Sequence, residues 1–368
     1  MSIVSICSLK SNAKDIAQEL KSKSDNIDPI FILFFTSSHL NVGEISKEIK
    51  NIFPYSHIAG CTTAGELISG AMLKDSVVAM LISQDVIEDV QIGVVPKIRE
   101  QTSIEPVFLS FENHFGISMS KIDLKKYAGI ILLDGLSGAE ERIIERIGDL
   151  TDVTFIGGSA GDDLEFKQTL LCANGETYTD AAVLILMKLK NGFDIIKTQS
   201  FSSTGKKLIA TKVDDANRTV IEFNNKPATE VYAGELGIQE SECSSKFMSN
   251  PVGLIIENEP FVRSPQQTKG GSMVFYCNIR EGMQLDILSS GDIVSDTRKA
   301  VTDKLNQHPE LKGIINFHCI LRTLELEQND LCETYGKIFS QIPMAGFSTY
   351  GEAYIGHINQ TSTMFVFL

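Results

Sequence analysis

The chain carries nearly the same seven-residue pattern twice, and this repeat constrains its fold more than any other feature. The first turn, residues 60–66, reads Gly-Cys-Thr-Thr-Ala-Gly-Glu, and the second turn, residues 346–352, reads Gly-Phe-Ser-Thr-Tyr-Gly-Glu. Each follows a short apolar run, so we expect a strand that enters a turn where two glycines let the backbone bend closely. The repeat indicates two related domains that present equivalent loops around one shared site.

A weaker third turn occupies residues 157–162, which read Gly-Gly-Ser-Ala-Gly-Asp. It lacks the spacing of a dinucleotide-binding fingerprint and the Lys-Ser/Thr pair of a P-loop. We therefore expect Ser159 and Asp162 to lie in a loop near the ligand site, with phosphate binding by backbone amides as an alternative.

Length and composition predict a globular protein. The 368 residues correspond to about two domains on a prior of roughly 150 residues each. With 43% hydrophobic and 22% charged residues, the chain can form two substantial cores. Apolar runs that alternate with amphipathic stretches predict an α/β (mixed α+β) fold: two packed domains, residues 1–195 and 196–368, with mixed, largely antiparallel sheets flanked by helices.

The second half contains distinct element signals. Turn-forming residues between two β-favouring runs predict a hairpin over residues 213–220. A proline near the first turn fits a helix over residues 227–236. Amphipathic stretches predict two further helices, over residues 292–306 and 324–338.

Charge and cysteine content exclude several classes of protein. The chain has 47 acidic and 33 basic residues, a net charge of −14, and the basic residues are scattered, which argues against nucleic acid or an anionic membrane as partner. No apolar run approaches the roughly 20 residues that span a bilayer, and no secretory signal is visible, so we expect a cytoplasmic protein. The seven cysteines form no Cys-x-x-Cys pair, which favours reduced thiols over disulfides or structural zinc.

Cys61 allows two interpretations. As a nucleophile at the junction of strand and turn, it would gain acidity from nearby backbone N–H groups. The second turn has Phe347 at the same position, however, and the sequence identifies no base. The alternative is a small buried apolar side chain.

The carboxylates and histidines also have two interpretations each. Glu66 and Glu352 either bind the amino group of a small ligand or satisfy local N–H groups. His318, which ends an apolar run, and His357, which follows the second turn, are either hydrogen-bonded core residues or the proximal ligand of a haem.

Four motifs in order resemble those of the FIST family: residues 60–66, 155–162, 316–322, and 346–352 with His357. FIST proteins are intracellular sensory modules with an N-terminal and a C-terminal FIST domain. The resemblance implies binding of a small ligand, for which amino acids have been proposed, and transfer of the signal to kinases, cyclases or chemotaxis receptors. A subset, the NosP type, binds haem and senses nitric oxide.

The resemblance strengthens the haem hypothesis for the two histidines. It favours His357 over His318 as the iron ligand of a haem b, and the absence of Cys-x-x-Cys-His makes that haem non-covalent. The candidate ligand-binding residues are polar or thiol side chains of the motifs: Cys61, Thr62, Thr63, Glu66, Ser159, Asp162, Arg322, Ser348, Thr349 and Glu352.

Three functions remain open. The first is a haem sensor of nitric oxide that regulates a partner histidine kinase, diguanylate cyclase or phosphodiesterase in trans. The second is a sensor of an amino acid or similar metabolite without haem, anchored by Glu66, Glu352 and the hydroxyls of both turns. The third, an enzyme that uses Cys61, is disfavoured, and we expect a non-enzymatic protein.

Overall fold

The computed structural model confirms the mixed α/β class, with helices flanking mixed, largely antiparallel sheets. It describes residues 2–100, 103–257, 259–354 and 356–368. Two compact units divide these residues. The first unit contains Met1–Lys197, Thr297–His357 and Ser362–Leu368, and the second contains Thr198–Asp296 and Ile358–Thr361. The domain boundary at 195/196 stays a prediction.

The elements follow one another in three segments. The first segment forms β1 (Ile3–Ser8), α1 (Ala13–Ser22), β2 (Pro29–Ser37), α2 (Val42–Ile52), β3 (His57–Thr63), β4 (Glu66–Ile68), β5 (Ala71–Leu73), β6 (Val77–Ser83), β7 (Ile87–Pro96), α3 (Glu105–Phe115), β8 (Tyr127–Leu133), α4 (Glu140–Leu150), β9 (Phe155–Ser159), β10 (Leu171–Ala173), β11 (Glu176–Tyr178), β12 (Ala181–Leu189) and β13 (Phe193–Thr198). The second forms β14 (Phe201–Asp214), β15 (Thr219–Phe223), β16 (Lys226–Pro227), α5 (Ala228–Leu236), α6 (Cys243–Lys246), β17 (Val252–Ile256), β18 (Glu259–Arg263), β19 (Pro265–Lys269), β20 (Ser272–Phe275) and β21 (Gln284–Ser290). The third forms α7 (Ile293–Gln307), β22 (Gly313–Cys319), α8 (Ile320–Gln328), α9 (Cys332–Gly336), β23 (Met344–Thr349), β24 (Glu352–Tyr354), β25 (His357–Ile358) and β26 (Ser362–Phe367).

The first unit is built on three six-stranded sheets of related design. Sheet 1 has the order β1-β6-β2-β3-β10-β11, sheet 2 the order β7-β12-β8-β9-β24-β25, and sheet 3 the order β13-β26-β22-β23-β4-β5. At the centre of each lies a parallel pair, β2 with β3, β8 with β9, and β22 with β23. Parallel neighbours need a crossover connection, and helices supply it here: α2, α4, and α8 with α9.

The three sheets exchange strands in a cycle. After the first turn, β3 of sheet 1 continues into β4 and β5 of sheet 3. After the second turn, β23 of sheet 3 continues into β24 of sheet 2. After the third turn, β9 of sheet 2 leads to β10 and β11 of sheet 1. Each sheet is therefore completed by strands that leave another sheet.

An apolar core lies on the faces that the three sheets share, with Phe35, Phe317 and Phe347 among its largest residues. On the outer faces, α1 and α2 cover sheet 1, and α3 and α4 cover sheet 2. Helices α8 and α9 lie against the strands of sheet 3. Among the described residues, no helix has the length and apolarity that crossing a bilayer requires.

The second unit has its own sheet, in the order β18-β17-β21-β14-β15-β20-β19, with β16 paired to β15. Its core joins Phe223, Phe247 and Ile287 with Tyr232, whose hydroxyl donates to the carbonyl of Asn250. Two sequence predictions are confirmed in this unit, since β14 and β15 form the hairpin over residues 213–220 and α5 forms the helix over 227–236.

The helix predicted over residues 324–338 is wrong in its bounds. Helix α8 starts directly after β22 and ends at Gln328, and α9 begins at Cys332. Asn329, Asp330 and Leu331 separate the two, and Asp330 has a φ of 55°. Asn and Asp are turn formers that tolerate this left-handed conformation, which ends the helix.

Candidate functional site

The first and second turns have the same internal hydrogen bonds. Thr63 Oγ1 donates to Glu66 Oε1 at 2.5 Å, and Thr349 Oγ1 donates to Glu352 Oε1 at 2.5 Å. In both turns a glycine with positive φ, Gly65 or Gly351, precedes the glutamate. The sequence repeat therefore corresponds to a repeated local structure.

The three turns meet inside the first unit, joined by backbone hydrogen bonds. One or two residues after the end of β3, β9 and β23, an N–H group donates to a carbonyl of another sheet, and the pairs are Ala64 to Ser348 at 3.2 Å, Gly161 to Thr62 at 3.0 Å, and Tyr350 to Ser159 at 3.1 Å. The structure thus brings the two repeated turns together, as the sequence analysis expected, but in a single compact unit and directly bonded.

The Glu66 carboxylate is engaged within the protein. Its second oxygen accepts from the hydroxyl of Ser76 at 2.7 Å and from the Ser76 N–H at 3.3 Å, and the residue is buried. Burial raises the pKa of Glu66 to about 7, against the lowering effect of these hydrogen bonds. The contacts support the local structural role of this side chain rather than that of a ligand anchor.

Asp162 is likewise occupied by its own loop. The carboxylate accepts backbone N–H groups of Phe166, Lys167 and Gln168, at 2.6 to 3.0 Å. The Tyr350 hydroxyl also donates to it at 2.5 Å. Asp162 thus fixes the loop after the third turn to the second turn.

Cys61 and Thr62 point to opposite faces of β3, since side chains alternate along a strand. Cys61 lies in the shared apolar core, where burial raises the pKa of its thiol well above the usual range. Thr62 Oγ1 accepts the N–H of Leu170 at 3.0 Å. The environment of Cys61 favours the apolar interpretation, because only the thiolate is an effective nucleophile.

The outer face of sheet 3 carries buried polar side chains, four of which form a polar layer: Asn316, His318, Ser348 and Ser362. His318 and Ser348 are register partners on the parallel strands β22 and β23, and Ser362 is the partner of His318 on β26. Ser348 Oγ shares a 2.8 Å hydrogen bond with Thr323 in the first turn of α8. These contacts join the layer to α8.

Arg322, beside Thr323 on α8, is 1% exposed. Its Nη2 donates to Thr297 Oγ1 of α7 at 3.0 Å, whereas its Nε and Nη1 have no hydrogen-bond partner among the described residues. Burial, and to a lesser extent the charge of Arg322, lower the pKa of His318 well below its usual range. A buried cation with two nitrogens that lack partners among the described residues thus lies close to a neutral imidazole.

The two histidines proposed for haem have different surroundings. His318 shares a 3.1 Å hydrogen bond with the Tyr335 hydroxyl through Nδ1, and its buried Nε2 has no partner among the described residues. His357 is buried against Gly351, where an added Cβ would lie 2.2 Å from its Cε1. These contacts, a cation near one imidazole and backbone against the other, fit a macrocycle poorly, and the haem stays a prediction.

Several residues that belong to the polar layer or bond to it or to Arg322 were not among the ligand candidates predicted from the sequence: Thr297, Asn316, Thr323, Tyr335 and Ser362. Asn316 and His318 have strand spacing, and Thr323 adjoins Arg322, so these three had a local signal in the sequence. Thr297, Tyr335 and Ser362 lie on other elements that only the fold brings here.

A separate open cleft of about 440 Å³ lies at the loops that join α1 to β2 and β6 to β7. Its lining includes Asp25, Asp28, Asp85 and the exposed Tyr55. The lining contains none of the predicted site residues, so the cleft and the polar layer are different features.

Comparisons with known proteins agree with the motifs. The FIST N domain model matches residues 30–226, and the FIST C domain model matches residues 228–354. An uncharacterised protein of Methanocaldococcus jannaschii is 21% identical over 323 residues, which cover 82% of this chain and 62% of that protein. The chain thus spans less than two thirds of that relative's length.

Proposed function

The chain belongs to the FIST family, whose domains are small-ligand sensors in signal transduction, and from this premise we propose that it senses an amino acid or a similar small carboxylate held by Arg322. The proposal rests mainly on one observation. The guanidinium is 1% exposed, yet two of its three nitrogens have no partner among the described residues.

A buried charge without a counter-charge costs several kcal/mol, and proteins normally pair it or neutralise it. Glu325 lies further along α8, and the Arg322 charge opposes the rise that burial causes in the pKa of this carboxyl. The described hydrogen bonds of the guanidinium do not include Glu325. A ligand carboxylate would accept from Nε and Nη1 through charge-assisted hydrogen bonds.

The polar layer supplies further contacts for such a ligand. The hydroxyls of Ser348 and Thr323 bond to each other, and His318 Nε2 has no protein partner among the described residues. Glu66 and Glu352, which the sequence analysis offered as anchors for an amino group, stabilise the turns that hold β23 in place. Their role in this proposal is structural.

Thermal unfolding in the presence of the twenty amino acids, each compared with its carboxamide, tests the proposal. At 100 times its Kd, a ligand stabilises the folded state by about 2.7 kcal/mol. We expect this gain for at least one free acid, none for its amide, and none in Arg322→Met. Arg322→Met without ligand should unfold at the same temperature as the native chain or higher, because the substitution removes an unpaired buried charge.

Two results would contradict the proposal. One is an equal shift for an acid and its amide, because the carboxylate would then not be the recognised group. The other is a clearly lower unfolding temperature for unliganded Arg322→Met, which would assign the guanidinium a structural role.

A haem sensor of nitric oxide is the second candidate, and it rests on the family resemblance together with the two buried histidines, His318 and His357. The family resemblance favours His357 as the iron ligand, with His318 as the alternative. The haem would supply the iron that binds nitric oxide. The purified chain with added haem should then show a Soret band that shifts with nitric oxide and is lost in His357→Ala; a colourless protein would remove this candidate.

For either ligand, we propose that the protein acts in the cytoplasm and without catalysis of its own. The signal would pass in trans to a histidine kinase, a diguanylate cyclase or a phosphodiesterase. Burial of Cys61 in the apolar core supports the non-enzymatic proposal, because the raised pKa of its thiol disfavours the thiolate. Alkylation of the native chain by iodoacetamide should leave Cys61 unmodified.

A further inference from the structure

Four side chains of the first unit form a chain of hydrogen bonds that ends at His318. Ser362 Oγ donates to Asn316 Oδ1 at 2.7 Å, and Asn316 Nδ2 donates to the Tyr335 hydroxyl at 3.4 Å. The same hydroxyl lies 3.1 Å from His318 Nδ1. All four residues are buried, so solvent does not compete for these groups.

The direction of this chain determines which nitrogen of His318 carries the proton. The Tyr335 hydroxyl accepts from Asn316, so its own hydrogen is available for His318 Nδ1. Burial and the nearby Arg322 charge disfavour the imidazolium, and a neutral imidazole has one donor and one acceptor nitrogen. We infer that Ser362, Asn316 and Tyr335 hold His318 as the Nε2–H tautomer, so that it presents an N–H donor beside Arg322.

This inference rests on the proposed function and adds the chemistry of the ligand. At His318 and Arg322, the nitrogens left without protein partners among the described residues are then all donors: His318 Nε2–H, Arg322 Nε–H and Arg322 Nη1–H. Such a set matches an oxyanion together with a neighbouring oxygen acceptor, as in a 2-hydroxy or 2-oxo acid or a dicarboxylate. An ammonium group placed against these three donors would face a positive charge and no acceptor among them, so the amino group of an amino acid must point elsewhere.

The inference also separates the two histidines as metal ligands. A protonated Nε2 has no lone pair for iron, and Nδ1 is engaged with Tyr335. His318 is therefore a ligand-binding residue for an oxygen acceptor, and Tyr335 is its positioning residue.

Nitrogen NMR tests the tautomer without any knowledge of the ligand. Long-range proton–nitrogen correlation spectra of the full-length ¹⁵N-labelled chain distinguish protonated from unprotonated ring nitrogens, and His318→Gln assigns the signals. We expect a single neutral Nε2–H tautomer that becomes a mixture in Tyr335→Phe. An Nδ1–H tautomer, an imidazolium, or an unchanged spectrum in Tyr335→Phe would overturn the inference.

Binding of pyruvate and succinate, measured by calorimetry, tests the role in recognition. The amide nitrogen of His318→Gln can replace Nε2–H, whereas that of His318→Asn lies near the Nδ1 position. We expect Kd to change by less than about threefold in His318→Gln and to rise by about 10- to 100-fold in His318→Asn. Equal losses in both variants would overturn the recognition role. If neither acid binds while the spectrum shows Nε2–H, recognition of 2-oxo acids and dicarboxylates fails, the tautomer assignment stands, and the amino-acid screen decides the carboxylate function separately.

Discussion

Two parallel strand pairs of the first unit share one framework, a strand–helix–strand segment that ends in the same turn. They differ in the side chains on their outer faces. The segments β2–α2–β3 and β22–α8–α9–β23 both end in a Thr-x-Gly-Glu turn with the same hydroxyl-to-carboxylate bond. On sheet 1 the outer face packs Ile32, Phe34 and Ile58 against α1 and α2. At the register position of Phe34, sheet 3 has Asn316, and at that of Thr36 it has His318.

This difference indicates which feature of the chain carries the ligand chemistry. The turns, which are the most conspicuous repeat in the sequence, are the shared framework, and their carboxylates are bonded within the protein. The polar layer and Arg322 belong to sheet 3 alone. Buried polar groups without partners cost stability, so the unpartnered nitrogens of His318 and Arg322 at this face favour a functional origin.

The shared framework can be broken at the glycine that opens each turn. A Cβ at Gly346 would lie 2.1 Å from the carbonyl oxygen of Asn316, and one at Gly60 would lie 2.5 Å from that of Phe34. We expect Gly346→Ala and Gly60→Ala each to lower the free energy of unfolding by about 3 kcal/mol or more, measured by urea denaturation.

A matched control is Gly148→Ala on the exposed side of α4, where nothing lies within 4 Å of an added Cβ. This variant should gain up to about 1 kcal/mol from helix propensity. If either turn glycine tolerates alanine as Gly148 does, the two strand pairs do not share the close approach that defines the framework.

The pH dependence of stability measures how strongly burial affects the Glu66 carboxyl of the first turn. The folded chain holds a proton on this carboxyl up to a pKa of about 7, whereas the unfolded chain loses it near 4.5. The folded state therefore binds more protons between these values, and its stability falls as the pH rises from about 5 to about 8, by about 3 kcal/mol. Glu66→Gln should remove this part of the pH dependence.

Denaturant titrations at pH 5, 6, 7 and 8 provide the measurement, with Glu44→Gln on the exposed face of α2 as control. The control should retain the slope of the native chain. An equal slope in Glu66→Gln and the native chain would show that the carboxyl of the first turn is not the group that titrates.

The smallest effect concerns the two hydroxyls. Thr63→Val and Thr349→Val keep the shape of the side chain but remove the donor to a buried glutamate, so each should cost about 1 to 3 kcal/mol. Because the two bonds have the same length, we expect the two losses to agree within about 1 kcal/mol. A loss in one variant and none in the other would show that the two turns share a backbone conformation but not a stabilising hydroxyl-to-carboxylate bond.

Local signals in the sequence predicted the turns, the alternation of strands and helices, and the placement of His318 and Arg322 in one motif. They could not predict which strands pair, because the edge strands of each sheet come from segments far along the chain. The glutamates illustrate the same limit. Glu66 resembles a ligand anchor until Ser76, ten positions later, supplies the rest of its hydrogen bonds.

The cyclic exchange of strands has a mechanical consequence. The chain runs from β23 of sheet 3 into β24 beside β9 in sheet 2, from β9 to β10 in sheet 1, and from β3 back to sheet 3 through β4, so we expect a displacement of one of these strands to act on the next sheet. The three sheets thus form a closed cycle, in which each sheet is connected through exchanged strands to the other two. We expect a small displacement of α8 around a bound molecule to be transmitted through these strands to surfaces far from Arg322, where another protein can bind.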